Sequence, residues 1–220
     1  MSNYAFPPAD PISLAIAGSQ ARFPVRRVYC VGRNYRDHVA EMGGDVKRSE
    51  PIFFTKAAQT IVHGDAEIPY PPNTKELHYE VELVVAMGPI GVYAYGVGID
   101  LTRRDLQAAA KSTGQPWARA KNFRHSAPCS ALTLATDFEL NAAKITLSKN
   151  GEIVQQGCIS EMIWSVEEIV DRLASDMDLQ AGDLIFTGTP AGVGPVVVGD
   201  ELSGEIAGLE RVTVRFVEGD

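Results

Sequence analysis

The sequence lacks any long run of apolar residues. Its nearest approach is the stretch Val81–Met87, which Glu82 interrupts, whereas a helix that spans a membrane needs about 18 consecutive apolar residues. We therefore predict that the chain does not cross a membrane and has no membrane partner.

Cysteine is also scarce. Cys30, Cys129 and Cys158 are odd in number, far apart and without a C-x-x-C pair, which disfavours a disulfide framework and a thiolate zinc site. The segment before Arg22 has no basic residue and contains three prolines, so it lacks the charged start and apolar middle of a secretory signal. These features predict a cytoplasmic protein.

Basic residues are outnumbered, with 20 Lys and Arg against 28 Asp and Glu, which gives a net charge of −8. The few basic groups are scattered among acidic residues, whereas a nucleic-acid surface needs a concentrated basic face. The sequence therefore predicts no nucleic-acid partner. Its 220 residues, 45% of them hydrophobic, are typical of one large folded domain with or without a small appendage.

The predicted organisation is an extended, Pro-rich N-terminal arm over residues 1–25, followed by one larger domain over residues 26–220. Strand-like segments outnumber helical ones and do not alternate with them regularly, as the strands of a doubly wound sheet would. We therefore predict an α+β, β-rich fold with a few short helices.

Turn and capping residues predict where the main elements begin and end. Thr102 with Asp105, and Ser165 with Glu168, are spaced as helix-capping pairs, and Asn150–Gly151 is typical of a hairpin turn. The predicted elements are a strand at 28–31, a helix capped by Asn34 and ended by Gly43–Gly44, a strand at 78–87, a helix at 102–113, a hairpin at 145–155, a helix after 165 and strands at 184–187 and 212–216.

Glu80 and Glu82 form the most informative local pattern. Residues two apart on a strand point to one face, so the two carboxylates would repel unless a hard cation such as Mg²⁺, Mn²⁺ or Ca²⁺ compensated them. A Glu-x-Glu pair is more often a solvated strand face. Asp100 either caps the next helix or completes a three-carboxylate site, and the residues alone leave both alternatives open.

Asp100, Arg104 and Gln107 fall at i, i+4 and i+7, so they share one face of the predicted helix. Arg104 offers a fork of donors to a carboxylate, and Gln107 can fix a neighbouring oxygen. An ordinary salt-bridging helix face is the alternative interpretation, and by pattern alone it is the commoner one.

His38 and Glu41, at i and i+3, can form an imidazole oriented by a carboxylate that removes a proton from water, or simply a surface pair. His78 precedes Glu80 by two residues and either joins a metal shell or lies behind it. Lys121 can bind an oxyanion if it is partly buried, although most lysines are solvated.

The segment 187–195 is a rigid Gly- and Pro-rich loop directly after a predicted strand, and it contains Thr189. It lacks the Gly-Lys-Ser/Thr ending of a phosphate-binding loop, so a nucleotide site has little support. We interpret it as a backbone loop that faces a substrate.

These motifs occur in an order that covers nearly the whole chain. They are Gly32-Arg33-Asn34-Tyr35 with His38 and Glu41, Glu80-x-Glu82, Gly98-x-Asp100-x-Thr102-x-Arg104-Asp105-x-Gln107, Ala120-Lys121-x-Phe123, and Thr187-Gly188-Thr189-Pro190 with Gly192-Val193-Gly194-Pro195. Over about residues 28–216 the chain resembles the fumarylacetoacetate hydrolase family, and its segment 26–35 is most similar to the bacterial fumarylpyruvate hydrolases within it.

The resemblance implies a catalytic domain built around a twisted mixed β-roll, usually as a homodimer. It also implies Mg²⁺ or Mn²⁺ held by Glu80, Glu82 and Asp100, and a mobile segment that carries His38 and Glu41. The family usually has a longer insertion between Met87 and Tyr95. Here that connection is either truly short or lacks residues, and a real deletion next to Asp100 would alter the metal site.

The implied reaction is hydrolysis of the C–C bond of a 2,4-dioxo acid, a 3-acylpyruvate, with fumarylpyruvate from gentisate-type aromatic catabolism as the expected substrate. The residues assigned to it are His38 with Glu41 as the base, Lys121 as a catalytic cation, and Arg33, Arg104, Gln107 and Thr189 as substrate-binding groups. The alternatives are an oxaloacetate decarboxylase, a related 2-oxo acid isomerase or hydratase, and a metal-binding scaffold without turnover.

Overall fold

The computed structural model describes residues 4–41, 43, 50–140 and 143–219. No helix in these ranges is long and apolar enough to cross a membrane. The α-helices are α1 (Arg36–Glu41), α2 (Arg104–Ser112), α3 (Ala118–Lys121) and α4 (Val166–Met177). The strands are β1 (Ser13–Ala15), β2 (Arg22–Pro24), β3 (Val28–Gly32), β4 (Ile52–Lys56), β5 (Ile61–His63), β6 (Ala66–Pro69), β7 (Leu77–Tyr79), β8 (Val81–Gly88), β9 (Gly91–Ile99), β10 (Thr102–Arg103), β11 (Ala127–Cys129), β12 (Thr133–Leu134), β13 (Lys144–Lys149), β14 (Glu152–Cys158), β15 (Leu184–Phe186), β16 (Gly194–Val196), β17 (Glu201–Ile206) and β18 (Val212–Val217).

The strands form one large mixed sheet and three smaller sheets. The large sheet has the order β4-β3-β15-β8-β9-β11-β5, with β12 added alongside β9, and its β3–β15 and β11–β5 pairs are parallel among antiparallel neighbours. A second sheet has the order β14-β13-β17-β18-β6, a third has the order β10-β7-β16, and β1 pairs with β2. The predicted α+β, β-rich class with a few short helices is confirmed.

The central hairpin of β8 and β9 has apolar neighbours on both of its faces. Leu83 and Val85 pack into the larger core cluster, whereas Val84 and Ala86 pack into a second cluster behind the sheet, and all four are fully buried. Side chains alternate along a strand, so Glu82 lies on the same face as Val84 and Ala86. The sheet therefore directs a carboxylate into the interior at one end of β8.

Part of the N-terminal segment forms a hairpin, and the extended arm over residues 1–25 stays a prediction. Strands β1 and β2 pair as a hairpin in which Leu14 and Phe23 are buried in the second core cluster. Burial of these apolar side chains holds the hairpin against the second core cluster. Residues 1–3 lie outside the described ranges, and the domain boundary at residues 25 and 26 stays a prediction.

Several predicted elements are confirmed closely. The hairpin of β13 and β14 turns at Asn150 and Gly151, which have φ values of 52° and 85°. Helix α4 begins after Ser165, whose hydroxyl accepts a hydrogen bond from Glu168 N at 3.3 Å, while Ser165 N donates to Glu168 Oε2 at 3.0 Å. Local capping chemistry therefore fixes these boundaries.

The start of α2 departs from its predicted capping pattern. The helix begins at Arg104 because Thr102 belongs to β10 and bonds Asp100 O through its hydroxyl at 3.3 Å. The Asp105 carboxylate accepts hydrogen bonds from Thr74 Oγ1 and Lys75 N at 2.7 and 2.9 Å instead of completing a capping box. Long-range partners thus replace the local ones.

The start of α1 differs from the prediction, whereas Gly43 follows its last turn as predicted. The helix begins at Arg36 and its last residue is Glu41, after which Gly43 has a φ of 69°. Asn34 does not cap it, since the Asn34 side chain bonds to distant loops. Gly44, the other half of the predicted helix end, lies outside the described residues.

Candidate active site

Three carboxylates lie together where β8 begins and β9 ends. The predicted strand 78–87 is interrupted at Glu80, between β7 and β8, and Glu82 follows within β8. Asp100 directly follows β9, and its amide donates to Glu80 O at 2.8 Å. Oxygens of the three side chains all lie within 4.8 Å of one another, and all three residues are buried. The structure therefore realises the three-carboxylate alternative for Asp100, and not the helix cap.

A buried glutamine that was not predicted as a site residue holds this end of the hairpin. Gln155 on β14 accepts a hydrogen bond from Val81 N at 3.0 Å through Oε1. Its Nε2 donates to Thr189 Oγ1 and to Pro190 O, both at 2.9 Å. Gln155 thereby ties the strand that carries Glu82 to the 187–195 loop.

Two cations predicted for the site contact the carboxylates directly. Lys121 at the end of α3 donates to Glu80 Oε2 and Asp100 Oδ2, both at 2.7 Å, and its side chain is buried. Arg104 donates to Glu80 Oε1 at 2.6 Å and to Gln107 Oε1 at 2.7 Å. The predicted helix face of Arg104 and Gln107 is therefore part of the carboxylate site rather than a solvated surface.

A second buried lysine was missed in the sequence. Lys56 Nζ donates to Ser126 O and Ser126 Oγ at 3.0 Å each and to Lys121 O, and it lies 2.9 Å from Asp100 Oδ1. Its hydrogen bonds are directed at carbonyl oxygens and the Ser126 hydroxyl, and Asp100 Oδ1 forms an ion pair with it but accepts no hydrogen bond from the described residues. The only signal in the sequence is a lysine at the end of the apolar segment 52–54.

The three carboxylates have different electrostatic surroundings. Burial raises the pKa of Glu80, but Lys121 and Arg104 outweigh it and hold that pKa well below its usual range. Burial, Asp100 and Glu80 all raise the pKa of Glu82 well above its usual range, against the cation Lys121 and a hydrogen bond from Gly188 N at 2.8 Å. The ionised form of Glu82 is thus disfavoured in these surroundings, and a bound cation would stabilise it.

These donors fit a divalent metal ion. The set consists of carboxylate oxygens, which hard cations such as Mg²⁺ and Mn²⁺ prefer. Asp100 Oδ1 is a buried acceptor without a hydrogen bond from the residues described. Glu82 forms no ion pair with any described lysine or arginine, whereas Glu80 pairs with Arg104 and Lys121. The cluster of Glu80, Glu82 and Asp100 can therefore accept positive charge without losing a hydrogen bond at Asp100 Oδ1.

The predicted pair of His38 and Glu41 lies at the same pocket. His38 is 7% exposed, and its Nδ1 is 3.5 Å from Glu41 Oε2. Gly192 N donates to both Glu41 oxygens, at 3.1 and 3.2 Å. Burial lowers the pKa of His38, although Glu80 and Glu41 oppose this effect. The imidazole is therefore held mainly neutral, as a general base requires.

Asn34 and Gly192 position this pair. Asn34 is fully buried; its Nδ2 donates to Trp164 O at 3.0 Å and to Thr187 O at 2.8 Å. Gly192 has a φ of 96°, and a Cβ there would overlap Val154 O. The Asn34 amide thus fixes the segment that leads into α1. The absence of a side chain at Gly192 lets the loop that bonds Glu41 approach Val154.

One pocket brings together the predicted site residues except Glu41, which contacts His38, and the alternative candidate His78. His78 is not among the lining residues; its Nδ1 accepts from Arg104 Nε at 3.4 Å, so it lies behind Arg104 and outside the carboxylate cluster. The lining residues are Val31, Gly32, Arg33, His38, Phe54, Glu80, Glu82, Asp100, Arg104, Gln107, Lys111, Trp117, Lys121 and Thr189. Phe54, Lys111 and Trp117 were not predicted as site residues.

Known proteins are similar to this chain in sequence and fold. The family model of the fumarylacetoacetate (FAA) hydrolase C-terminal domain matches residues 27–217. Fumarylpyruvate hydrolase from Ralstonia sp is 38% identical over 186 residues, which cover 79% of this chain and 97% of that protein. Oxaloacetate tautomerase YcgM from Escherichia coli (strain K12) is 37% identical over 199 residues, which cover 84% of this chain and 90% of that protein.

A solved structure is similar over the full length of the chain. The crystal structure of fumarylpyruvate hydrolase from Pseudomonas aeruginosa, in complex with Mn²⁺ and pyruvate, matches with a TM-score of 0.95 and 44% sequence identity. The match covers 99% of this chain and 100% of the other. The fold and the family model agree, and the chain belongs to the fumarylacetoacetate hydrolase family.

Proposed function

We propose that this protein is a metal-dependent hydrolase that cleaves the C–C bond of a 3-acylpyruvate, with fumarylpyruvate of gentisate-type aromatic catabolism as its substrate. The observation that carries this proposal is that three buried carboxylates within 4.8 Å share a pocket with His38, whose imidazole contacts Glu41 at 3.5 Å. Hydrolysis needs a cation to bind a 2-oxo acid and a base to activate water. The Mn²⁺ and pyruvate in the similar Pseudomonas aeruginosa structure support the choice, since pyruvate is one expected product.

The proposed cofactor is Mg²⁺ or Mn²⁺, with Ca²⁺ as a possible substitute, held by Glu80, Glu82 and Asp100. When bound, such an ion supplies a Lewis acid that polarises the 2-oxo acid half of the substrate. Lys121 and Arg104, both in contact with Glu80, place two fixed positive charges at the same end of the pocket. This end therefore suits the carboxylate of a pyruvyl group.

We assign the other site residues separate roles in hydrolysis. His38, oriented by Glu41, takes a proton from water, and the water oxygen forms a bond to the carbonyl carbon of the acyl group. We assign Lys121, Gln107 and Thr189 to hydrogen bonds with substrate oxygens. Arg104 and Arg33 are assigned to the negative charges of the substrate.

The step balances without any further reactant. As the C–C bond breaks, its electron pair passes to the methylene carbon of the pyruvyl half. That carbon then takes the proton from His38 to become the methyl group of pyruvate, and the acyl half leaves as a carboxylic acid. For fumarylpyruvate the products are fumarate and pyruvate.

An oxaloacetate enzyme, either a tautomerase or a decarboxylase, is the second candidate. The Escherichia coli oxaloacetate tautomerase is nearly as similar in sequence as the Ralstonia hydrolase, at 37% against 38% identity. Both candidates need a 2-oxo acid bound beside Glu80, Glu82 and Asp100, but neither tautomerisation nor decarboxylation needs an activated water. The His38→Ala variant should therefore abolish hydrolysis and leave much of a decarboxylase rate.

The deciding experiment measures turnover of fumarylpyruvate and of oxaloacetate with Mg²⁺, with Mn²⁺ and with a chelator. Equal, metal-dependent release of fumarate and pyruvate supports the hydrolase. Pyruvate and CO₂ from oxaloacetate, or interconversion of its keto and enol forms, with fumarylpyruvate untouched, supports the second candidate. We also propose a cytoplasmic homodimer, from the family resemblance, and light scattering on the purified protein tests its mass.

A further inference from the structure

One face of α2 extends from the carboxylates to the outer part of the pocket. Arg104, Gln107 and Lys111 occupy positions i, i+3 and i+7, and all three line the pocket. Arg104 contacts Glu80 at 2.6 Å, whereas Lys111 lies seven residues further along the helix. At the usual helical rise this places Lys111 about 10 Å from Arg104 along the axis. The pocket therefore has a cation at each end of this face.

Aromatic rings form the wall next to Lys111. Its Nζ lies 5.1 Å from the centre of the Trp117 ring, and that ring lies 6.0 Å from the Phe54 ring at an angle of 59°. A Cβ at Gly32 would lie 3.7 Å from Trp117, so the backbone at Gly32 packs near this ring and forms another side of the pocket. The cation–π contact orients the ammonium, and the flat rings suit a planar conjugated acyl chain.

Lys111 is held among like charges. It forms no ion pair with any residue in the described parts of the chain. There it makes a cation–π contact with the Trp117 ring and is repelled by the charges of Arg104 and Arg33. Burial, Arg104 and Arg33 lower the pKa of Lys111, and Glu80 opposes them. A cation in such surroundings is stabilised by an incoming anion.

We propose that Lys111, oriented by Trp117, binds the distal carboxylate of a dianionic 3-acylpyruvate and so selects acyl groups that carry a carboxylate. This inference rests on the proposed function, because it assumes that the pyruvyl half lies at the Glu80 end. A seven-carbon chain has six C–C bonds and spans about 7 Å when extended. The axial separation of Arg104 and Lys111, about 10 Å, is longer than this chain. Their side chains are long enough to reach toward each other and close the gap.

Binding of unreactive analogues tests the proposal without requiring turnover. 2-Oxopimelate and 2-oxoheptanoate have the same seven-carbon chain and lack the 4-oxo group that hydrolysis needs, and only the first has a distal carboxylate. In calorimetric titrations of the Mn²⁺-loaded protein we expect 2-oxopimelate to bind at least tenfold more tightly than 2-oxoheptanoate. We expect Lys111→Met to remove this difference and Lys111→Arg to retain most of it.

The matched control is Lys144→Met, which removes one positive charge from an exposed position on β13 outside the pocket. It should leave both affinities unchanged. Equal affinity of the wild-type protein for the two analogues, or a preference that survives in Lys111→Met, would overturn the proposal. Kinetics separate this failure from failure of the proposed function. Lys111→Met should raise KM for fumarylpyruvate about 10- to 100-fold, whereas Lys144→Met should leave it unchanged. Absence of fumarylpyruvate hydrolysis by the wild-type protein would overturn the proposed function, and a KM that Lys111→Met does not change would overturn the role of Lys111.

Discussion

Lys56 Nζ lies 2.9 Å from Asp100 Oδ1, and both side chains are almost completely buried. The same ammonium donates to Ser126 O and Oγ at 3.0 Å each. Lys56 therefore joins a candidate metal ligand to the backbone between α3 and β11. Loss of one partner from a buried ion pair leaves the other charge poorly compensated, which typically costs about 3–5 kcal/mol.

We expect Lys56→Met to lower the free energy of unfolding of the metal-free protein by about 3 kcal/mol. Mn²⁺ should recover part of this loss, because it places positive charge beside Asp100. Urea unfolding followed by circular dichroism, with and without Mn²⁺, measures both effects. Lys75→Met removes an exposed lysine and serves as the control; equal stability of the two variants would contradict the assignment.

Substitution of Glu82 should affect the metal-free and metal-bound protein in opposite directions. Burial and two neighbouring carboxylates raise the pKa of Glu82 well above its usual range, so its ionised form is disfavoured. Glu82→Gln introduces a side chain that is always neutral and should leave the metal-free protein as stable or more stable. The same change removes a metal ligand and should weaken Mn²⁺ binding at least tenfold. At saturating Mn²⁺, each tenfold loss of affinity removes about 1.4 kcal/mol of stabilisation.

Thermal unfolding over a range of Mn²⁺ concentrations measures this change in affinity. Glu67→Gln is the matched control, because Glu67 is exposed on β6 and outside the carboxylate cluster. If Glu82→Gln responds to Mn²⁺ as Glu67→Gln does, Glu82 is not a ligand.

The parts of the fold that the sequence predicted well are those with local causes. The Asn150–Gly151 turn and the Ser165–Glu168 capping box depend on residues within a few positions of one another, and both are present. Asn34 shows the opposite case: its amide bonds to Trp164 and Thr187, more than 120 residues away, so no local pattern could distinguish it from a helix cap.

The same distinction applies to the site. The carboxylates and His38 were predicted from short motifs, and the pocket contains all of them. Lys56 and Gln155 act through partners that the fold alone brings together, Asp100 and Val81 respectively. Their chemistry is ordinary for a lysine or glutamine on any strand, so only burial reveals their role.

Gly98 has a steric role at the site that a mutation can measure. It pairs with Glu82 across β8 and β9, and a Cβ at Gly98 would lie 2.6 Å from Val84 Cγ2 and closer still to Phe186. Gly98→Ala should therefore destabilise the protein by about 1–3 kcal/mol and weaken Mn²⁺ binding by displacing Glu82. Phe186→Leu in the same chain should recover part of the stability, as measured by urea unfolding.

Gly64→Ala is the control for this prediction, because a Cβ there would meet its nearest neighbour at an ordinary distance of 3.5 Å. It should change the free energy of unfolding by less than about 1 kcal/mol. Similar losses in Gly64→Ala and Gly98→Ala would show that backbone entropy, and not the contact with Phe186, determines the effect.

The pH dependence of hydrolysis should report the state of His38. Burial lowers the pKa of His38 below its usual 6.5, so the neutral imidazole persists at pH values where a solvated histidine is protonated. We expect kcat/KM to stay constant down to pH 6.5 and to fall only below it. The same shift affects stability: just below pH 6.5 the unfolded chain binds a proton at His38 that the folded protein does not, so the His38 contribution to stability is lost as the pH falls from 6.5 through the folded pKa.

Glu41→Gln separates this interpretation from a general effect of acid. Glu41 raises the pKa of His38 through its hydrogen bond and its charge, so its neutralisation should move the acid limb of kcat/KM to still lower pH while lowering kcat. Asp37→Asn, which neutralises an exposed carboxylate on the same helix, should leave the limb in place. A limb at or above pH 6.5, or one that Glu41→Gln does not move, would remove His38 as the base, because its protonation would then not control the rate.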